Sequence, residues 1–248
     1  MKDALALIGY GRFGSLAAHY LRDYFPILVC DSRRSIRLER GLRRCTLRDA
    51  AGCDTIILAV PISSLKSVLR KLSPLVEPKT LLIDVCSVKV GPIRWMKEIL
   101  PPTVQILGTH PLFGPDSAST TLRGKSIVLC PARIPRRTFS HISTGLRRVG
   151  LSVSTMTPER HDFIMARSLF LTQFLGRGLG SMFVQSGIPT TENYNMLRRI
   201  ILTSMSDSRQ LLRDMYRFNR YSRTIPEQVE NVIRRQSRKL RSTTRRDR

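Results

Sequence analysis

A glycine-rich turn, Gly9-Tyr10-Gly11-Arg12-Phe13-Gly14, directly follows the apolar run Ala4–Ile8. No other feature of the sequence limits the fold as strongly. In such a turn the first glycine permits a tight bend, the second lets backbone approach a pyrophosphate, and the third allows helix and strand to pack closely. The stretch Phe13–Tyr24 carries Phe13, Leu16, Ala17, Tyr20 and Leu21 at helical spacing, so a helix opens on the turn and aims its free amides at negative charge. The next apolar run, Ile27–Cys30, ends in Asp31, where a dinucleotide-binding unit needs a carboxylate. Asp31 suits the free ribose hydroxyls of NAD. Ser32, Arg33 and Arg34 follow at once and suit the 2′-phosphate of NADP, which a guanidinium fork grips well. The two signals conflict. The cofactor is read as NAD or NADP with a slight lean to NADP, held by Gly9, Gly11, Arg12, Phe13, Gly14, Asp31, Ser32, Arg33 and Arg34, with Val60 and Pro61 at a further strand end.

Apolar strands are expected at Ala4–Ile8, Ile27–Cys30, Thr55–Val60, Leu81–Val85, Gln105–Leu107 and Ser126–Leu129, with prolines marking turns and helix starts between them. Strands alternating with crossover helices imply an α/β fold, a Rossmann-type doubly wound parallel sheet covered on both faces. After about residue 155 the pattern changes. Gly and Pro become sparse apart from Gly176/Gly178/Gly180 and Gly187-Ile188-Pro189, and apolar residues recur at three and four from Ile164 to Met215. Thr157-Pro158-Glu159 opens this smaller all-α domain with a cap residue and a first-position proline. The expected division is 1–155 dinucleotide-binding, 156–233 helical, and 234–248 a basic tail too poor in apolar residues to order.

Composition removes several classes. No stretch reaches the roughly 20 apolar residues of a membrane span, and the first residues lack the pattern of a signal peptide. The five cysteines (30, 45, 53, 86 and 130) form no CxxC pair and are read as sitting singly in apolar surroundings, which suggests neither a disulfide framework nor a metal site. A cytoplasmic, reducing setting is expected. The net charge is +24, yet aromatics make up only 6% and the arginines are spread along the chain; residues 234–248 alone are concentrated, at eight basic to one acidic. Nucleic acid is therefore a possible partner but not the favoured one, because the electrostatic footprint comes without a reading motif.

Two more segments fall at strand ends, where ligands of such sheets bind: Asp84-Val85-Cys86-Ser87-Val88-Lys89 and Gly108-Thr109-His110-Pro111-Leu112-Phe113-Gly114-Pro115-Asp116. Together with the glycine turn, Leu58-Ala59-Val60-Pro61 and Glu159-Arg160-His161-Asp162, they resemble the prephenate/arogenate dehydrogenases of tyrosine biosynthesis over roughly residues 5–180. The resemblance implies oxidation of a cyclohexadienol hydroxyl by NAD(P), followed by loss of carbon dioxide. It makes His110 the catalytic histidine and Ser87 its partner on the reacting hydroxyl. It also implies substrate contacts from the helical domain, where Gln173 occupies the place of a histidine that many members carry, and where Arg198, Arg199 or Arg213 would hold a carboxylate. A homodimer through the helical domain is implied as well. His161-Asp162 is read as helix-start structure. An acidic residue favouring arogenate is absent after the strand Ser126–Leu129, where Cys130-Pro131 follows, while Phe113–Asp116 looks arogenate-like; prephenate and arogenate stay balanced. The alternatives are a two-domain NAD(P) dehydrogenase of another substrate, or a polyanion-binding protein on a decayed dehydrogenase fold.

Overall fold

The computed structural model describes residues 4–182 and 191–246. Two compact units divide between His161 and Asp162. The first is built on one eight-stranded sheet whose strands are β1 (Leu5–Ile8), β2 (Ile27–Cys30), β3 (Arg43–Arg44), β4 (Thr55–Leu58), β5 (Leu81–Asp84), β6 (Gln105–Pro111), β7 (Ser126–Arg133) and β8 (Ser152–Thr155). Their order across the sheet is β3-β2-β1-β4-β5-β6-β7-β8. The first six strands are parallel, with Leu5 beside both Ile27 and Thr55. Central strands read as nearly unbroken apolar runs because both faces are covered; all four residues of β1 are buried. The order in which strands are added changes side at β1, with β2 on one side and β4 on the other, which makes the carboxyl ends of these strands the place for a ligand.

The sheet is mostly parallel, as expected, with one antiparallel pair: β7 runs antiparallel to β6, pairing His110 with Val128 and Pro111 with Ile127, and β8 is parallel to β7. That pairing carries β6 on through Gly108 to Pro111 although glycine and proline mark it locally as a turn. It also extends β7 to Arg133, so Cys130 and Pro131 lie within the strand, with Cys130 opposite Gly108, two positions along from the Val128 that pairs with His110. The short β3 and the five-residue α2 (Leu47–Ala51) carry too little periodicity to be read in advance. The latter is fixed by a capping box in which Thr46 and Asp49 exchange side-chain and backbone bonds.

Helices α1 (Arg12–Leu21), α3 (Ile62–Leu72), α4 (Val90–Ile99) and α5 (Arg136–Arg148) flank the strands. In α3 the buried residues Ile62, Leu65, Leu69 and Leu72 form one stripe at three-four spacing. Helix α6 (Pro158–Met165) starts where expected, with the Thr157 hydroxyl accepting from the Arg160 N–H at 3.2 Å. The division falls inside it and not at 155/156, because its first turn is tied by His161 to the strand unit.

The second unit continues α6 through a π-helical turn (Ala166–Phe170) into α7 (Leu171–Leu179), then α8 (Glu192–Ser206), α9 (Arg209–Phe218) and α10 (Ile225–Arg246). Helix α7 crosses α8 closely at Gly176, where a Cβ would stand 2.4 Å from the Ser204 hydroxyl. The Gly187-Ile188-Pro189 break lies outside the described residues. The disorder expected of 234–248 does not hold over its described residues, 234–246: α10 is helical as far as Arg246. From Arg234 to Arg246 it contains no glycine or proline, its Arg, Lys, Gln and Leu residues are good helix formers, and Glu230 meets Arg234 at 3.6 Å one turn on. No helix among the described residues is long and apolar enough to cross a membrane.

Candidate active site at the strand ends

The glycine turn leaves β1 with Gly9 at φ +99, a backbone conformation that side chains rarely allow. A Cβ at Gly9 would lie 2.4 Å from the Ala59 carbonyl oxygen, and one at Gly14 2.1 Å from the Gly9 carbonyl oxygen. Both glycines are thus demanded by packing. Gly11 is not: a Cβ there would meet nothing within 4 Å. It opens α1 without a side-chain cap, and the first turn of that helix carries no acidic residue. Open space before an uncapped helix N-terminus is the cradle a pyrophosphate requires, so the residues present fit a dinucleotide. Val60 belongs to the same corner, its Cγ1 standing 3.0 Å from where a Gly9 Cβ would be, and Pro61 caps α3 beside it.

Asp31 follows β2 and is fully engaged. Its Oδ2 accepts from the Tyr10 N–H at 2.7 Å, and its Oδ1 from the Arg33 N–H at 2.9 Å. The Arg33 guanidinium folds back on both oxygens at 3.0 Å and donates to the Tyr10 carbonyl at 2.9 Å. Held chiefly by Arg33, with help from the Tyr10 and Arg33 amides, the carboxyl is drawn down to about 2. Ser32 and Arg34 are exposed. Arg12 does not turn to the cradle; it pairs with both oxygens of Asp116 at 2.7 and 2.8 Å. Phe13 meets Phe113 with ring centroids 6.4 Å apart. The loop after β6 is thereby fastened over the first turn of α1.

Ser87 and His110 stand at the ends of the neighbouring strands β5 and β6. Ser87 is 8% exposed, and its hydroxyl has no hydrogen-bond partner. A buried hydroxyl left unpaired is costly and asks for a ligand. The segment around it is locked by an ion pair buried at both ends, Lys89 with Asp84; Lys89 also donates to the Thr109 carbonyl, and the Thr109 hydroxyl to the Asp84 carbonyl at 2.8 Å. These bonds tie β5 to β6 directly beneath Ser87 and His110.

His110 is 6% exposed, and its Nδ1 lies 2.8 Å from Nε2 of the fully buried His161. Burial first, then the nearby His161 and Lys89, push its pKa well below 6.5. The imidazole is therefore neutral at neutral pH, the form a general base needs. His161 is the residue the sequence reading missed. Glu159-Arg160-His161-Asp162 looks like an ordinary helix start, and the only signal was its place in the family resemblance. Asp162 does serve structure: its carbonyl accepts from the Asn219 side chain at 2.7 Å.

The residues expected to hold substrate from the second unit are placed as follows. Gln173 is buried; its Nε2 donates to Asp207 at 2.6 Å, with Arg177 donating to the Asp207 carbonyl, so it braces α7 against the end of α8, while its Oε1 has no hydrogen-bond partner. Arg199 is exposed and pairs with Glu192 at 3.2 Å. Arg198 is half-buried on α8, and Arg213 is exposed on α9. Among the described residues no group of three or more His, Cys, Asp or Glu side chains could hold a metal ion.

A family model for the nucleotide-binding domain of prephenate dehydrogenase matches residues 30–153, half of the chain. The chain belongs to the prephenate dehydrogenase family. The match begins after the glycine turn, so the turn rests on its own geometry. Among relatives of this family, the probable arogenate/prephenate dehydrogenase of Methanocaldococcus jannaschii is 28% identical over 90% of this chain and 53% of its own length. Arogenate dehydrogenase 1, chloroplastic, of Arabidopsis thaliana is 30% identical over 91% of this chain and 38% of its own length. The chain thus spans about half the length of the curated relatives it matches. A prephenate dehydrogenase from A. aeolicus, solved with hydroxyphenyl propionate and NAD+, shares the fold at a TM-score of 0.75 and 18% identity, over 98% of this chain and 93% of that one.

Proposed function

We propose that this member of the prephenate dehydrogenase family oxidises the ring hydroxyl of prephenate, or of arogenate, with NAD(P) and with loss of carbon dioxide, a step of tyrosine biosynthesis. The observation that carries this reading is the buried, neutral His110 next to the unpartnered Ser87 hydroxyl, on neighbouring strand ends of a sheet whose glycine turn fits a dinucleotide.

When bound, the nicotinamide supplies the hydride acceptor. His110 takes the hydroxyl proton on Nε2. That requires its Nδ1 to carry hydrogen, which the lone pair of His161 Nε2 accepts; His161 is a positioning residue that holds the tautomer and ring angle. Ser87 hydrogen-bonds the reacting oxygen and orients the ring. As the hydroxyl carbon becomes a carbonyl, the ring carboxylate leaves as carbon dioxide and its electron pair completes the aromatic ring. The product is 4-hydroxyphenylpyruvate from prephenate or tyrosine from arogenate.

The test is nicotinamide reduction at about 340 nm with each substrate and each cofactor. Turnover with prephenate or arogenate is expected; a folded chain that binds cofactor but is silent with both would point to a different substrate.

For the cofactor, the Arg33 guanidinium supports NADP: it already neutralises Asp31, which removes the charge that repels a 2′-phosphate, and the exposed Arg34 beside it offers a fork at the strand end. Arg33→Ala is expected to weaken NADP binding by about 10–100-fold, the scale of one or two charge-assisted bonds, while NAD binding holds or improves. Equal losses for both cofactors in a titration would refute the role.

Pairing of two chains through the helical unit is supported by its exposed apolar side chains, among them Met196, Leu202 and Met205 on α8. Light scattering is expected to give twice the chain mass. A monomer at micromolar concentration would remove this part of the reading.

A further inference from the structure

We propose that Cys30 and Cys45 form a redox-active dithiol beside the glycine turn, which a low-molecular-weight disulfide oxidises to an intrachain disulfide that weakens dinucleotide binding. Only the effect on binding rests on the dinucleotide reading given above.

The sequence shows two cysteines fifteen positions apart, and the fold makes them neighbours. Cys30 is the last residue of β2, and Cys45 is the first after β3. The two strands run parallel, Leu28 beside Arg43 and Val29 beside Arg44. The ladder continues one step further, since the Cys45 N–H donates to the Val29 carbonyl at 3.0 Å, and this sets Cys45 opposite Cys30. Side chains at matched positions of adjacent strands project from the same face, and the strands lie about 4.8 Å apart. That spacing falls inside the roughly 4.4–6.8 Å between Cα atoms that a disulfide spans.

The chemical environment favours reaction. The Cys45 thiol beside it draws Cys30 down to about 7, and Cys30 in turn raises Cys45. Cys30 thus carries thiolate near neutral pH with a donor beside it, and both residues are half-exposed. The remaining cysteines, 53, 86 and 130, are buried. The isolation expected of all five from their sequence surroundings therefore fails for this pair, because strand register is what joins them.

The exchange balances. The Cys30 thiolate attacks one sulfur of the small disulfide, forms a mixed disulfide and expels the first small thiolate. Cys45 then gives up its proton, its sulfur attacks the Cys30 sulfur, and the second small thiolate leaves. Two protein thiols are oxidised, one small disulfide is reduced to two thiols, and the two protons end on those thiols.

The link to the turn is short. The Cys30 carbonyl accepts the Gly9 N–H at 2.8 Å, and the next residue, Asp31, accepts the Tyr10 N–H at 2.7 Å. Closing a sulfur–sulfur bond of about 2.05 Å fixes the end of β2 against Cys45, and these two bonds carry any shift of that end to both anchors of the dinucleotide turn.

The experiment treats the reduced full chain with oxidised glutathione, maps its disulfides by mass spectrometry, and measures NAD and NADP affinity before treatment, after it and after dithiothreitol. Expected are a Cys30–Cys45 cross-link, a several-fold weaker dinucleotide affinity and recovery on reduction. Cys45→Ser should stop at a mixed disulfide on Cys30. Thiols that stay free, a Cys30 adduct that never resolves in the unsubstituted chain, or a cross-linked chain with unchanged affinity would each overturn the proposal. A reduced chain that binds no dinucleotide yet forms the cross-link would sink the dinucleotide reading and leave the dithiol site standing.

Discussion

His110→Ala should lower turnover by ~10²–10⁴-fold while leaving dinucleotide affinity unchanged, the loss expected when a positioned general base is removed. A loss below about tenfold would sink that role. The pH profile carries a second signature. The base works unprotonated, and burial, His161 and Lys89 all lower its pKa well below 6.5. Turnover should therefore hold as pH falls from neutrality through 6.5 and decline only further into acid, at the depressed value. A decline centred at or above 6.5 would contradict the buried geometry. Stability follows with the same sign. Between the depressed value and 6.5 the unfolded chain binds the proton and the folded chain does not, so the contribution is complete above about 6.5 and is lost as pH falls below it. His161→Ala removes the second of the three causes, so the acid limb should move towards 6.5 without reaching it, because desolvation is the largest cause. A purely structural His161 would lower stability and leave the acid limb where it was.

The second large effect is loss of cofactor binding in Gly11→Val. The residue sits at φ −78, open to any side chain, and an added Cβ meets no protein atom within 4 Å. The fold should accept the change at a cost of up to about 1 kcal/mol, from a poorer residue at the head of α1. The valine would instead fill the space a pyrophosphate needs, and binding of both NAD and NADP should disappear from a calorimetric titration. Gly14→Ala makes the contrast. Its Cβ would stand 2.1 Å from the Gly9 carbonyl oxygen, so the turn itself must break and the melting temperature should fall steeply. Retained affinity in Gly11→Val would refute the cradle, and an equal collapse of stability in both variants would make Gly11 a packing residue.

The contrast between these glycines shows how far local pattern reaches. Spacing alone identified the turn, the helix after it and Asp31, since each needs only neighbours in sequence. It could not say which glycine serves packing and which leaves room, because the deciding atoms belong to Ala59 and to Gly9 itself across the corner of β1 and β4. Asp31 is a similar case. Its place was legible, but its occupation by Arg33 was not, since that depends on how the chain curls back after β2.

Where tertiary pairing overrides local preference, the sequence misled. The apolar run stops at Leu107, yet β7 pairs on through Gly108 to Pro111 and makes His110 part of the strand. Few apolar residues mark a disordered tail, yet helix propensity carries α10 to Arg246.

By itself, the sequence determined the class of sheet, the dinucleotide turn, and the presence of Ser87 and His110 at strand ends, because hydrophobic periodicity and glycine spacing are written in nearest neighbours. Only the tertiary structure decided the electrostatics: that His110 is buried against His161 and kept neutral, that Lys89 and Asp84 cancel out of water, and that Cys30 meets Cys45. Those outcomes depend on residues 5 to 51 positions apart being brought within a bond's reach, and no periodicity encodes such a meeting.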